Sequence, residues 1–271
     1  MPDIKISGYT THYEDHDFST PWVKSEVVLI QHGFGRNANF WFQWVPKIAN
    51  DFRLIRRDLR GHGGTTDPEN LPWSFDRLVD DMRDFCDALD LEAIHLIGES
   101  TGGMLSVGFA HRYPDRVKSL TLCNSPTTID AAGQRFFAGS HSSWQAALED
   151  RGAKGWTEWL VDQPGTAVFE SPEERAWVLK EMARTSTKAM ISYSQIISNT
   201  DVAPMLRELT VPTLVLAPTR SGAAPLDGQR KMASALPNGF LAVIDSKAHE
   251  VYWDCPDECV TAWRDHVTAN S

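Results

Sequence analysis

Residues Gly98-Glu99-Ser100-Thr101-Gly102 place a serine at the apex of a G-x-S-x-G pentapeptide. The apolar run Ala93-Ile94-His95-Leu96-Ile97 precedes it, and the glycine-rich run Gly103-Met104-Leu105-Ser106-Val107-Gly108 follows. That order reads as buried strand, sharp turn, helix. Such a turn holds its serine in a strained conformation with the hydroxyl exposed. Glycines are needed because side chains would collide where the strand and helix backbones pass close. The serine also sits at the positive end of a helix, where negative charge is stabilised. These features suit a nucleophile.

A serine hydroxyl is a weak nucleophile at neutral pH and needs a base to take its proton. The chain has nine histidines. His249 is the best placed, on the loop after the last strand-like run and at the same sheet end as Ser100. Acyl transfer also needs donors for a developing oxyanion. One is expected from the amide of Thr101, directly after the nucleophile. The other is expected from Phe34 in His32-Gly33-Phe34-Gly35. Each such donor is typically worth about 3 kcal/mol of barrier. His32, His62 and His95 read as structural: beside the oxyanion loop, in a glycine-rich turn and within a buried strand.

The elements that must position these groups alternate. Strand-like runs fall at 26–31, 52–58, 93–97, 117–123, 213–217 and 240–244, with a weaker one over 4–14 that turns near Gly8. Ser74 reads as an N-cap. After it, Phe75, Leu78, Val79, Met82, Phe85, Cys86 and Leu89 recur at helical spacing. Helices are also expected after the serine turn, over 229–236 and at the C-terminal end. Strands alternating with helices predict an α/β fold, a mostly parallel central sheet covered on both faces. Residues 126–200 interrupt that alternation. They lack strand patterning and are rich in aromatics, with a helical pattern over 173–190. The expectation is a core of 1–125 and 201–271 carrying an inserted helical cap, 126–200, over the strand ends where such sheets bind ligands.

The 271 residues suffice for one large core. The net charge of −10 disfavours nucleic acid and anionic membranes as partners. Four cysteines are too few for a disulfide framework. Cys255 and Cys259 lack further ligands at metal-binding spacing. No metal or organic cofactor is implied. No signal segment or membrane-length apolar run is seen. A cytoplasmic monomer or homodimer acting on a small-molecule substrate is the expectation.

Taken together the chain resembles the α/β-hydrolase superfamily. The matching residues are His32-Gly33-Phe34-Gly35, Asp58-Leu59-Arg60-Gly61-His62-Gly63, the Ser100 turn, Tyr113-Pro114-Asp115-Arg116-Val117 and Ala248-His249. The resemblance covers both halves of the core and misses the cap. Its look is that of small esterases and enol-lactonase-like members, and it implies the α/β-hydrolase fold.

One departure matters. Most members carry an aspartate after the strand equivalent to 213–217, in a pattern like G-x-x-D-x-x-x-P. Here Pro225 aligns and Ser221 stands where the carboxylate belongs. That acid orients the histidine and stabilises its charged form. Some members place it instead after the strand equivalent to 117–123. At that point Asn124 is the nearest candidate, with Asp130 and Asp227 as further ones. The expectation is that Ser221 is no full substitute, and that either a group from 124–130 orients the histidine or the substrate is an activated ester, lactone or enol-lactone that demands little acid catalysis; a Ser-His dyad without an acid is the remaining alternative.

The reading is a serine hydrolase cleaving an ester or lactone of a small, fairly apolar molecule through an acyl-enzyme. The alternatives on the same fold are a cofactor-free dioxygenase, a carbon–carbon bond hydrolase, or a non-catalytic ligand-binding member.

Overall fold

The structure is a computed structural model that describes residues 2–6 and 8–270. Its strands are β1 (Asp3–Ile6), β2 (Tyr9–His16), β3 (Val27–Gln31), β4 (Arg53–Arg57), β5 (Ile94–Glu99), β6 (Val117–Cys123), β7 (Thr213–Pro218) and β8 (Gly239–Ile244). In chain order the helices are α1 (Val45–Ile48), α2 (Phe75–Ala88), α3 (Thr101–Arg112), α4 (Ala131–Ala138), α5 (Trp144–Val161), α6 (Pro172–Met182), α7 (Thr187–Ser198), α8 (Ala203–Leu206), α9 (Leu226–Ala235), α10 (Val251–Asp254) and α11 (Pro256–Ala269).

The strands form one sheet in the order β1-β2-β4-β3-β5-β6-β7-β8. β2 runs antiparallel to β1 and β4, and the pairs from β4 to β8 are parallel. The chain leaves β3 for β4 on one side, and β5 then pairs with β3 on the other. This reversal is a topological switch point, which opens a crevice at the carboxyl ends of β3 and β5. The sequences that follow those two strands are the Gly33–Phe34 loop and Ser100.

The buried strands feed two cores, one on each face. Leu29, Leu96, Leu120, Leu122 and Val215 pack into one cluster. Val28, Ile30, Ile97, Cys123, Leu214 and Leu216 pack into the other. This is the two-residue alternation of a strand applied to a sheet covered on both sides. On α2 the Ser74 hydroxyl accepts from the Arg77 N–H as the capping reading expects. The buried face is Leu78, Val79, Met82, Phe85 and Cys86.

Between β6 and β7 the chain adds α4 to α8 and no strand of the sheet. Thr128 and Asp201 form an isolated antiparallel bridge that ties the start of this segment to its end. The helical pattern over 173–190 is not one helix. α6 stops at Met182 and α7 starts at Thr187, because Ser186 caps a new helix by accepting from the Ala189 N–H. The Ser186 N–H is itself spent on the Gly61 carbonyl, anchoring the break to the core.

The turn after β5 is tight. A Cβ at Gly102 would meet the backbone carbonyls of Gln31, at 2.6 Å, and His32. A Cβ at Gly228, on exposed α9, would meet nothing within 4 Å. Gly102→Ala is therefore expected to destabilise by up to about 3 kcal/mol through overpacking against backbone. Gly228→Ala should stabilise by about 0.5–1 kcal/mol through helix propensity. Urea unfolding of the two variants checks this; equal midpoints would contradict it.

Candidate active site

Ser100 occupies φ 48°, ψ −122°, between β5 and α3. That conformation is sparsely populated for a residue with a side chain and costs of order 1–3 kcal/mol. It is held by neighbours on both sides. The Ser100 N–H donates to the Cys123 carbonyl at the end of β6, and its own carbonyl accepts from Gly103. At Gly98, a Cβ would sit 2.7 Å from the Gly103 Cα. Only a glycine lets the strand and helix backbones approach this closely.

His249 follows β8 on a loop and is buried. Its Nε2 lies 3.2 Å from the Ser100 Oγ. The structure thus brings together the two groups that the sequence proposes as nucleophile and base. His249 Nδ1 lies 2.7 Å from the Ser221 Oγ, which also accepts from the Ala224 N–H. The Ala224 bond turns an oxygen lone pair toward that amide and leaves the second lone pair for His249. The consistent tautomer has the proton on Nδ1, donating to Ser221, and a free lone pair on Nε2.

The expectation for the histidine-orienting group is corrected here. Asn124 reaches His249, but on the wrong nitrogen for that role. Its Nδ2 donates to Nε2 at 2.9 Å, the nitrogen that faces Ser100. Asn124 leaves β6 at φ 43°, a left-handed conformation that asparagine tolerates better than most residues. It competes with the Ser100 hydroxyl for one lone pair. Asp130 is far from this role: it caps α4, accepting from Ala132 and Gly133. Asp227 is paired with Arg230 on α9. The far nitrogen belongs to the Ser221 loop, where the family's acid normally sits.

The Phe34 loop packs against Ser100 from β3. A Cβ at Gly33 would lie 3.0 Å from the Ser100 Cβ. The Phe34 ring is gripped by aromatic residues of the 126–200 segment, with centroids 4.6 Å from Trp144, 5.4 Å from Trp156 and 5.8 Å from Tyr193. This packing fixes the Phe34 loop beside Ser100. His32 holds the loop from behind, taking the Leu59 N–H on Nε2 and contacting the Gly33 carbonyl through Nδ1.

Sequence reasoning missed an ionic group behind the histidine. Glu99 is buried and accepts the Gly33 N–H at 2.6 Å. Glu250, next to His249, accepts from Arg36 at 2.5 Å, and both side chains are almost fully enclosed. Burial, then the Glu250 charge, pushes the Glu99 carboxyl up to about 8. Burial works against the Glu250 carboxylate too, but Arg36 and His249 hold it below the ordinary range. Burial also lowers His249, with Glu250 acting against it and Arg36 with it. One ligand atom from each of Glu99, His249 and Glu250 lies within 4.8 Å of the others. Arg36 and the Gly33 N–H already occupy the two carboxylates, and a guanidinium opposes a second cation. The donor set therefore suits a charge network better than a metal ion.

These groups open into a cavity of about 50 Å³, room for a few waters. Its walls include Phe34, Ser100, Thr101, Phe137, Trp144, Trp156 and His249. Of the cap aromatics, Phe137, Trp144 and Trp156 line the cavity, while Phe136, Trp159, Trp177 and Tyr193 pack elsewhere. A larger recess shares Pro126, Ile129, Phe137 and Ala223 with it and extends along α4 and α9.

A fold of this topology with a serine elbow, a late histidine and this loop arrangement defines a known class. Residues 26–256 match the model of the alpha/beta hydrolase fold, and the chain belongs to that family. The putative carbamate hydrolase RutD of Agrobacterium fabrum is 24% identical over 258 residues, covering 91% of this chain and 94% of that one. The 3-oxoadipate enol-lactonase 2 of Acinetobacter baylyi is 25% identical over 191 residues, 70% of each chain. The crystal structure of an enol-lactonase from Burkholderia xenovorans superposes with a TM-score of 0.85 at 22% identity, covering 98% of this chain and 100% of that one. Among the described residues no helix is long and apolar enough to cross a membrane.

Burial gives the site a pH signature. Among the described residues, six histidines lie below their ordinary value, chiefly through burial: His16, His32, His62, His95, His249 and His266. His62 falls to about 4. As pH drops below 6.5 the unfolded chain takes up protons that the folded one refuses, so stability falls. Asp58, Glu99 and Asp254, raised by burial, act with the opposite sign, three groups against six. The urea midpoint is expected to fall from pH 7 to pH 5. A midpoint that rises on acidification would contradict this balance.

Proposed function

We propose that the protein is a serine hydrolase that cleaves an ester or lactone bond of a small substrate through an acyl-enzyme on Ser100. The observation that carries this reading is the 3.2 Å approach of His249 Nε2 to a serine held on a strained elbow. In the first half-reaction the Ser100 Oγ bonds to the acyl carbon as its proton passes to Nε2. The Phe34 and Thr101 amides stabilise the charge on the carbonyl oxygen. The His249 proton then leaves with the alcohol or enol oxygen as the acyl–oxygen bond breaks. In the second half-reaction water gives a proton to Nε2 and attacks the acyl carbon. The returning proton restores the Ser100 hydroxyl.

The cavity favours a small acyl group, since the space beside Ser100 is about 50 Å³. The aromatic wall favours an apolar one. Ser221 favours an activated leaving group. A hydroxyl on Nδ1 fixes the tautomer but brings no charge to stabilise imidazolium. In a triad, replacing the aspartate by a neutral amide costs on the order of ten-thousand-fold, largely through the wrong tautomer, so a serine that fixes the tautomer loses less but still lacks the charge. Enol, lactone and aryl leaving groups demand little acid catalysis and suffer least. The relatives' names, an enol-lactonase and a putative carbamate hydrolase, support a small acyl substrate bonded to such a group.

Ser100→Ala should lower turnover of p-nitrophenyl acetate by around a million-fold, the usual scale for a triad nucleophile. A fluorophosphonate should label Ser100 and no other serine. A variant that keeps a substantial fraction of the wild-type rate, or an adduct mapped to Ser125 or Ser221, would overturn the reading.

A further inference from the structure

The usual carboxylate is absent from the loop after β7, yet a carboxylate stands beside the imidazole from another direction. Glu250 follows His249 in the chain and turns back into the same cavity wall. Its carboxylate is within 4.8 Å of a ring nitrogen of His249. The other groups that act electrostatically with Glu250 are Arg36, Glu99, Tyr252, Cys123 and Asp254. Of these only Arg36 is cationic, and it binds one carboxylate oxygen of Glu250. The second oxygen, Oε2, is buried, and a further group against the carboxylate is the neutral Tyr252 hydroxyl, which leaves its charge in place. Glu99, the other carboxyl near the imidazole, is held toward its neutral form by burial and by Glu250 itself. One negative charge is therefore left to face His249, and it belongs to Glu250.

We infer that Glu250 is the positioning residue that supplies the counter-charge for His249 in place of the missing aspartate, with Arg36 setting how much of that charge the imidazole feels. The division of labour is unusual for a triad. Ser221 fixes the tautomer through Nδ1 without charge. Glu250 supplies charge without touching either nitrogen. The arrangement explains how a buried histidine with three neutral partners can carry a proton during the reaction. Its effect is smaller than that of a directly bonded aspartate, because the carboxylate is farther away and shared with a guanidinium. This inference rests on the reading of Ser100 and His249 as the reacting pair.

The test is an NMR titration of His249 with turnover of p-nitrophenyl acetate measured on the same samples. Glu250→Gln should lower the His249 pKa by about one unit or more. It should also lower kcat roughly 10- to 100-fold with little change in KM, because the charge is needed only when the imidazole is protonated. Arg36→Gln should move the pKa the opposite way, upward, by freeing the Glu250 charge. A merely structural pair gives no such opposition, since losing either partner disrupts the same contact. Adding Ser221→Asp to Glu250→Gln should restore both pKa and kcat to near wild type. An unchanged pKa in Glu250→Gln, shifts of the same sign in Glu250→Gln and Arg36→Gln, or a loss that Ser221→Asp leaves unrepaired would overturn the inference. Should Glu250→Gln fail to fold, the uncharged pair Arg36→Gln/Glu250→Gln replaces it: its His249 pKa should lie below that of Arg36→Gln, and an equal value would overturn the inference, because removing the Arg36 charge raises the imidazole by itself. The titration reads His249 whether or not an ester is turned over. Failure of the hydrolase reading and failure of this inference are therefore separate results.

Discussion

The turn between β5 and α3 forces Ser100 into φ 48°, ψ −122°, and the rest of the site is arranged around that strain. A conformation costing of order 1–3 kcal/mol persists only where surrounding packing leaves no alternative. Here the constraint comes from backbone meeting backbone. Gly102 lies against the carbonyls of Gln31 and His32, and Gly33 lies against Ser100. The same contacts that strain the serine therefore bring the β3 loop, with its Phe34 amide, to the nucleophile. The aromatic grip of Trp144, Trp156 and Tyr193 on the Phe34 ring closes the arrangement from the other side. Strain, the β3 loop and the cavity wall are one packing problem with one solution.

The histidine is held differently. His249 is enclosed, bonded by Ser221 at one nitrogen and approached by Asn124 and Ser100 at the other. None of those three groups carries charge. An imidazole in such surroundings is kept neutral at rest, which suits a proton acceptor, but its protonated form is poorly stabilised. The contest between Asn124 and Ser100 for the Nε2 lone pair pulls the same way. The buried Arg36–Glu250 pair places ionised groups beside these neutral ones.

Much of this was legible in the sequence. The alternation of apolar runs gave the parallel strands, because β5 and its neighbours are buried on both faces and read as continuous hydrophobic segments. Ser74 announced α2 through its side-chain cap. The Ser100 turn, His249 and the Phe34 loop were visible because each is a local pattern tied to a strand end. What stayed hidden depends on contacts between distant segments. Arg36 and Glu250 are 214 residues apart and carry no spacing signature. Ser221 was correctly aligned with the missing acid, but a serine was discounted because it brings no charge. Geometry nevertheless put it on Nδ1. Asn124 was close enough in the chain to be suspected, yet which nitrogen it meets is set by its left-handed backbone, invisible before the structure. The break between α6 and α7 was missed for a related reason: the Ser186 cap needs Gly61 from the core to fix it.

The account stands on a covalent step at Ser100 driven by His249. Rapid acid quenching soon after mixing with p-nitrophenyl acetate traps an acyl-enzyme before water attacks it, because strong acid protonates His249 and leaves the ester intact. Peptide mapping of the quenched sample then reads where the acetyl group rests. The account predicts one acetyl group on the peptide carrying Ser100, formed in a burst with release of p-nitrophenol and lost when His249 is replaced by alanine. Steady release of p-nitrophenol with no acetyl group on that peptide, or an acetyl group found on another residue, would contradict it.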